Sequence, residues 1–343
     1  MIDFLGSGAL NLDLVYEVDN LEDVRLAGFD LHPGHEITGD YKTAKALMAF
    51  LNRQGNLMVK SGGGSSANTI CALSRLSHKV GFIGTAGKDH AGNFILSSMK
   101  GVDSSLVKRV GRSAICVIII EKKELDRAMF VAPQDHQVEF LDSAVLKSLL
   151  NTRVLHFSSL AQSHGVSTQK ELANTLKPEQ ILSFDPGELY AARGIEALAE
   201  ILKRTDILFI TEEEVKIMTG MAGKAGLEAI YPMLSENRTS HNSLGLNLFK
   251  DTGGATIVCK QGPRGSTIYS PEVSLTIPAE KVLKIVDNTG AGDAFNAGFL
   301  HVMLQGAQAH ECLRSGARLA AFSLSAFGRG WLDRLSVYTT KSP

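Results

Sequence analysis

Val286-Asp287-Asn288-Thr289-Gly290-Ala291-Gly292-Asp293-Ala294-Phe295-Asn296-Ala297-Gly298-Phe299 is the stretch from which the rest of the chain is read. A strand-like run, residues 282–286, leads into small residues, and residues 294–304 follow a helical pattern that is apolar almost all round. A helix of that kind is buried, and its N-terminus falls at Gly290, Ala291 and Gly292. Free backbone N–H groups at that end, reinforced by the helix dipole, make an anion site, and glycine lets a phosphate come close to the backbone. Asp293 is at odds with such a site, because a carboxylate repels an anion. Its presence makes chemical sense if it takes a proton from an incoming hydroxyl while N–H donors stabilise the charge developing on a phosphoryl group. The alternative is a helix N-cap favoured by the dipole.

A second glycine-rich segment, Ser61-Gly62-Gly63-Gly64-Ser65-Ser66-Ala67-Asn68-Thr69, runs into a helix-like stretch at 70–76 and then Val80-Gly81-Phe82-Ile83-Gly84. Neither it nor Gly84-Thr85-Ala86-Gly87-Lys88 is a phosphate-binding Walker loop, since the glycine-lysine-Ser/Thr ending is missing from both. Asn68 is read either as a hydrogen-bond partner for a sugar hydroxyl or as an N-cap. Gly6-Ser7-Gly8 opens like a dinucleotide fingerprint, but Asn11 stands where the third glycine belongs and a strand-like run follows. That disfavours a dinucleotide-dependent oxidoreductase.

Around these segments, strand-length apolar runs at 4–8, 80–83, 116–120, 154–157, 181–184, 207–210 and 256–259 alternate with helix-like stretches at 91–99, 143–150, 168–176 and 190–203. Such alternation predicts an α/β fold with a parallel sheet covered on both faces. Two stretches break the rhythm, 12–58 and 113–132, and each is read as strands of a smaller sheet or as surface hairpins. The second includes a polar turn, Glu121-Lys122-Lys123-Glu124. Lys+Arg number 35 against 36 Asp+Glu over 343 residues, with no basic block, which argues against a nucleic-acid partner. The longest apolar run, 114–120, is far short of the ~20 residues that a membrane span needs. Met1-Ile2-Asp3-Phe4-Leu5-Gly6 has no basic leader and reads as the start of a strand. Cys71, Cys116, Cys259 and Cys312 show no metal or C-x-x-C spacing and read as core residues of a cytoplasmic protein.

Taken together, the segments resemble the ribokinase or PfkB carbohydrate kinase family from Gly6 to about Gly330. Gly63-Gly64-x-x-x-Asn68-Thr69, continuing through Gly81 and Gly84 to Gly87-x-Asp89-x-x-Gly92, looks like the N-terminal signature of that family. Asp287-x-Thr289-Gly290-Ala291-Gly292-Asp293 looks like its C-terminal signature. The resemblance implies a ribokinase-like three-layer α/β/α fold with a mostly parallel central sheet and a small β-sheet lid. It further implies one kinase domain at 1–333, lid segments at about 12–58 and 113–132, and a tail at 334–343. The implied activity is transfer of the ATP γ-phosphate to a hydroxymethyl group. Asp293 matches the family's base; Gly290, Ala291 and Gly292 match its anion hole. Asn11, Asp13, Gly63, Gly64 and Asn68 match the sugar site. Lys260, Gly262 and Gly265, in Lys260-Gln261-Gly262-Pro263-Arg264-Gly265, match the nucleotide-side turn, whose plainer reading is a hairpin turn. Arg127 resembles a lid arginine aimed at the transferred phosphate, or else is a solvated charge. The resemblance also implies Mg²⁺ with ATP, held through Glu214 by way of water, and Asp287 and Thr289 match positions that hold a monovalent cation such as K⁺.

There are departures from the pattern. The family's Asn-x-x-Glu reads Thr211-Glu212-Glu213-Glu214, and Pro133-Gln134-Asp135-His136 replaces a small-residue turn under the lid. The long insertion at 21–59 leans toward an adenosine-kinase-like substrate; a ketohexose or a sugar acid stays open, as does a monomeric or homodimeric state. The altered Thr211 position is also compatible with a non-catalytic sugar- or nucleotide-sensing protein on the same fold. Of the remaining polar residues, Asp185 reads as a turn and helix cap or, at the sheet's carboxyl edge, as a contact to nucleotide or Mg²⁺, Arg329 as a surface charge or a neighbour of nucleotide phosphate, and His32-x-x-His35 as a histidine pair without further metal ligands.

Overall fold

Phe4 and Leu5, Val154 and Leu155, Ile181 and Leu182, and Ile207 and Leu208 are neighbours in sequence, yet the first of each pair joins one hydrophobic core and the second another. Strands with both faces covered place successive side chains in this way. The structure is a computed structural model that describes residues 1–122, 127–134, 136, 138–234 and 246–335. Its strands are β1 (Ile2–Ser7), β2 (Asn11–Val18), β3 (Glu36–Thr38), β4 (Asn56–Gly63), β5 (Val80–Ala86), β6 (Val107–Arg109), β7 (Ala114–Glu121), β8 (Arg127–Ala132), β9 (Thr152–Ser158), β10 (Ile181–Asp185), β11 (Ile207–Thr211), β12 (Thr256–Lys260), β13 (Ser266–Tyr269) and β14 (Ser274–Ile277).

Among the described residues, nine strands form one sheet in the order β14-β13-β12-β11-β10-β9-β1-β5-β6. It is parallel from β12 to β6 and antiparallel at the β13–β14 edge. Helices Ser65–Arg75, Ala291–Leu304 and Ala309–Ser323 contribute to the core on one face. Helices Gly165–Asn174, Gly194–Leu202 and Glu212–Thr219 contribute to the core on the other. This is the ribokinase-like α/β architecture. Helix Ala291–Leu304 is anchored by Phe299, whose ring meets Phe209 of β11 edge-on at 5.2 Å; fully burying such a ring stabilises the fold by about 1.5–3 kcal/mol.

The smaller sheet, in the order β3-β8-β7-β2-β4, comes from residues 11–63 and 114–132. On one face Leu12, Leu14, Tyr16, Val117, Ile119 and Phe130 pack with Ala44, Leu47 and Leu51 of helix Tyr41–Gln54. The alternate residues Val15, Cys116, Ile118 and Val131 form a separate cluster on the other face, which Asn11 and Asp13 share by the period of two. Strand pairing thus sets a row of polar and small apolar side chains facing the main body.

Two local expectations fail. Residues 282–286 form no strand: β14 already fills that sheet edge, Leu283 and Ile285 stay exposed, and the Val286 N–H bonds the Leu324 carbonyl at 2.8 Å. The segment therefore has neither a ladder nor a core to join. The single helix at 190–203 is two, Gly187–Ala191 and Gly194–Leu202, because Gly194 adopts φ +79° and ends the run. Lys123 and Glu124 of the 121–124 turn, Asp135, and residues 336–343 of the tail lie outside the described residues. No helix among the described residues is long and apolar enough to cross a membrane.

Candidate active site

Ser158, Asp185, Thr211 and Lys260 are the last residues of β9, β10, β11 and β12, and all four line one open cavity. The carboxyl ends of parallel strands are where open α/β sheets bind ligands, because loops diverge there and leave a crevice. The cavity's second wall is the smaller sheet, through Asn11, Asp13, Cys116, Ile118, Met129 and Val131; its third is the start of two helices, through Gly64, Ser65, Asn68, Gly290, Gly292 and Asp293.

The N-cap of helix Ala291–Leu304 is Gly290, with no side-chain cap, so Asp293 is not the cap that one reading of the sequence allowed. Its carboxylate turns instead to the other helix: Ser65 Oγ donates to Oδ1 at 2.6 Å and Asn68 Nδ2 to Oδ2 at 2.8 Å. Burial pushes the Asp293 carboxyl up to about 6, while the Ser65 and Asn68 hydrogen bonds work against that rise. Such a group is ionised at neutral pH yet basic enough to accept a proton. Asn68 is likewise not a cap, a position that Gly64 holds. Its amide is oriented from behind: Arg329 Nε donates to Asn68 Oδ1 at 2.7 Å, leaving Nδ2 for Asp293. Arg329 also reaches Ser98 Oγ at 3.1 Å and the Gly63 carbonyl at 3.3 Å. The expectation that it is a surface charge is therefore overturned. It sits on the turn Gly328–Arg334, which packs against β4, 261 residues from Asn68 in the chain.

Asp13 is admitted to the cavity by Gly63, since a Cβ there would overlap its carboxylate. Asp13 Oδ1 and Asn11 Oδ1 are both buried without a hydrogen-bond partner among the described residues. Unpaired buried acceptors are costly in isolation and are natural seats for a ligand's O–H donors. Burial pushes Asp13 up to about 7, with the Arg329 guanidinium pulling the other way. Because this folded-state value lies above that of the unfolded chain, the ionised side chain opposes folding above pH 7, and that penalty disappears as pH falls toward the unfolded value. Asp13→Asn is thus expected to raise the melting temperature of the ligand-free protein at pH 8, with a gap that narrows below about pH 7 and closes only near the unfolded carboxyl value of about 4. Thermal melts across that range check it; a gap independent of pH would rule out Asp13 as the source.

Lys260 and Asp185 form a buried pair, Nζ to Oδ2 at 2.6 Å, and Asn296 Nδ2 donates to the same oxygen at 2.6 Å. Burial alone would raise Asp185, but the Lys260 charge and hydrogen bond hold it below the usual carboxylate range. Burial opposes the Lys260 charge, and Asp185 and Glu214 nevertheless keep its pKa above the ordinary value. The expected turn role of Asp185 is present, through the Gly187 N–H at 3.3 Å, but it is the lesser part of what this residue does. A Cβ on Gly292 would lie 3.3 Å from Lys260 Nζ, so the ammonium stands beside the helix N-terminus.

Thr211 and Glu214 form a capping box at the start of helix Glu212–Thr219: the Thr211 N–H donates to Glu214 Oε2 at 2.8 Å and the Glu214 N–H to Thr211 Oγ1 at 3.2 Å. Threonine thereby supplies the cap where the resemblance called for asparagine. Burial, then the charge of Asp185, pushes Glu214 up to about 7. No group of three or more His, Cys, Asp or Glu among the described residues converges on a metal position. Mg²⁺ usually takes one or two carboxylates, with waters and substrate phosphates completing its shell. Asp185 and Glu214, both lining the cavity, fit that requirement. Asp287 accepts the Thr289 N–H at 2.8 Å and the Gly328 N–H at 2.9 Å, one on each oxygen, while Thr289 Oγ1 is buried and has no hydrogen-bond partner among the described residues.

Arg127 lines the cavity and gives Nη1 to Asn288 Oδ1 at 3.2 Å. Gly262 and Gly265 do not line it; Gly262 opens the turn Gly262–Arg264, and Gly265 follows it, packed against Ile277 and Pro278. Gln134 donates to the Val110 carbonyl and opens on a neighbouring cleft. His32 pairs with Asp30 and His35 with Glu188, so the two histidines do not act together. Asp89 is a brace: it bonds the Gly92 N–H and both the N–H and the hydroxyl of Ser113, tying the second half of the N-terminal motif to the start of β7. The sequence reading missed Ser65, whose place after Gly63-Gly64 could have flagged it, and Glu36, on a strand too short to show a pattern.

The sequence model of the pfkB family carbohydrate kinases matches residues 43–330. The chain belongs to this family. The pfkB kinase is 29% identical over 259 residues to an uncharacterized sugar kinase of Archaeoglobus fulgidus, covering 75% of this chain and 95% of that one. It is 24% identical over 274 residues to a nucleoside kinase of Methanocaldococcus jannaschii, covering 78% and 80%. Its fold is similar to that of adenosine kinase from Sinorhizobium meliloti, with a TM-score of 0.78, 18% identity and coverage of 100% and 99%. As a pfkB kinase it is a sugar or nucleoside kinase, a phosphotransferase acting on a hydroxyl group.

Proposed function

We propose that this pfkB kinase transfers the γ-phosphate of ATP to a primary hydroxyl of a ribose-like acceptor, with Asp293 as the base. The observation that carries the reading is the Asp293 carboxylate, held by Ser65 and Asn68 at a glycine-lined helix N-terminus with Lys260 alongside. Asn11 and Asp13 accept hydrogen bonds from the acceptor's other hydroxyls and aim its primary hydroxyl at Asp293. The proton passes to the Asp293 carboxylate as the acceptor oxygen bonds the γ-phosphorus; the bond from that phosphorus to the β–γ bridging oxygen breaks, and ADP leaves. Backbone N–H groups at Gly290, Ala291 and Gly292, with Lys260 and Arg127, stabilise the charge on the transferring group. Mg²⁺, held through Asp185 and Glu214, would neutralise the phosphate oxygens when bound. Thr289 Oγ1 beside Asp287 would give a K⁺ ion an oxygen donor. An adenosine-like acceptor is the finer reading, supported by the insertion at 21–59 and by the apolar wall of Cys116, Ile118, Met129 and Val131.

ADP release from Mg-ATP across nucleosides, pentoses and hexoses, in K⁺ and in tetramethylammonium buffers, tests this. Turnover on a nucleoside or pentose is expected, faster in K⁺. Absence of turnover on every acceptor would sink the kinase reading.

A further inference from the structure

We infer that the acceptor is a neutral polyhydroxyl compound, a free sugar or nucleoside, and that the site discriminates against acceptors carrying a carboxylate or a phosphate. The inference rests on the kinase reading and narrows its substrate class.

Five carboxylates line the cavity, Asp13, Glu36, Asp185, Glu214 and Asp293, against two cations, Lys260 and Arg127, among the described residues. Both cations are already engaged. Lys260 pairs with Asp185 at 2.6 Å beside the helix N-terminus, on the phosphate side. Arg127 donates to Asn288, and Glu36 lies within its electrostatic reach. A third cation, Arg329, sits behind Asn68 with its guanidinium on Asn68, Ser98 and the Gly63 carbonyl.

What the acceptor end presents is hydrogen-bond acceptors. Asn11 Oδ1 and Asp13 Oδ1 are buried and unpartnered, and only O–H or N–H donors satisfy them. A sugar or a ribose supplies such donors in adjacent pairs. A carboxylate or a phosphate supplies further acceptors, and above about pH 7, where Asp13 and Glu36 are ionised, its charge would stand against both in a partly desolvated cavity. Placing like charges together at a recognition site strongly disfavours the wrong ligand, and specificity arises from that repulsion as much as from attraction to the right one. Glu36 contributes by position: it is on β3, the edge of the smaller sheet, and Glu188 accepts its N–H at 3.3 Å, which adds a second carboxylate behind it.

The experiment compares kcat/KM, by ADP release, for ribose, fructose and adenosine against fructose 6-phosphate and 2-keto-3-deoxygluconate, all of which have a primary hydroxyl. At least one neutral acceptor is expected to exceed both anionic ones by on the order of 10²-fold or more. An anionic acceptor equal to or better than every neutral one would overturn the inference and leave the kinase reading standing. Silence on all five acceptors would overturn both. Glu36→Gln, nearly equal in size, is expected to narrow the neutral-to-anionic ratio by roughly tenfold, since one of the two opposing carboxylates is removed. A folded Glu36→Gln protein with the wild-type ratio would remove Glu36 from the discrimination.

Discussion

Asp293→Asn is expected to lower kcat by roughly 10²–10⁴-fold, the usual contribution of a positioned general base. The amide keeps the shape of the side chain. Its oxygen can still accept from Asn68 Nδ2, and its NH₂ can turn to Ser65 Oγ, whose hydroxyl is free to rotate. Folding and ATP binding should therefore survive while proton acceptance is lost. The pH profile separates this from a positional effect. With the Asp293 carboxyl at about 6, the base should hold wild-type kcat/KM at a plateau from about pH 7 and let it fall through half at about pH 6 as it is protonated. The variant should lack that fall. A variant with the wild-type rate, or a wild-type rate that rises on acidification, would mean that another group takes the proton.

Lys260→Met should unfold more easily as well as lose activity. Removing one partner of a buried ion pair leaves Asp185 charged among Asn296, Glu214 and the cavity wall. Such unpairing typically costs about 3–5 kcal/mol, which in a chain of this size lowers the melting temperature by roughly 4–7 °C. The double variant Lys260→Met, Asp185→Asn is the informative one. The amide oxygen that replaces the Asp185 carboxylate would still accept from Asn296 Nδ2, so melting temperature should recover most of the loss. Activity should not recover, because the ammonium beside the Gly290–Gly292 amides and the carboxylate proposed to hold Mg²⁺ are both gone. If Lys260→Met melts with the wild type, the pair is not supporting the fold; if the double variant recovers turnover, neither residue handles phosphate.

The layered fold was legible because its signals are local. Near-continuous apolar runs such as 154–157 and 207–210 mark strands covered on both faces, and short-range patterns place most of the helices between them. Where local pattern misled, at 282–286, the residues had the right composition but no free sheet edge beside them. Glycines next to a lone aspartate marked a glycine-lined helix start with Asp293 in its first turn in the same way, since a helix N-terminus is built by consecutive residues.

The sequence by itself determined the alternation of strands and helices, the glycine-rich helix starts and the acid in the second of them. Only the tertiary structure decided which partners those residues have. Asn68 is set by Arg329, 261 residues away, and Asp185 by Lys260, 75 residues away. Asp13 enters the cavity because a strand with no strong pattern of its own, β4, lays Gly63 beside it. Helix and strand propensities act over one or two turns of chain, and a buried charge or an unpaired acceptor is defined by whatever the topology brings against it.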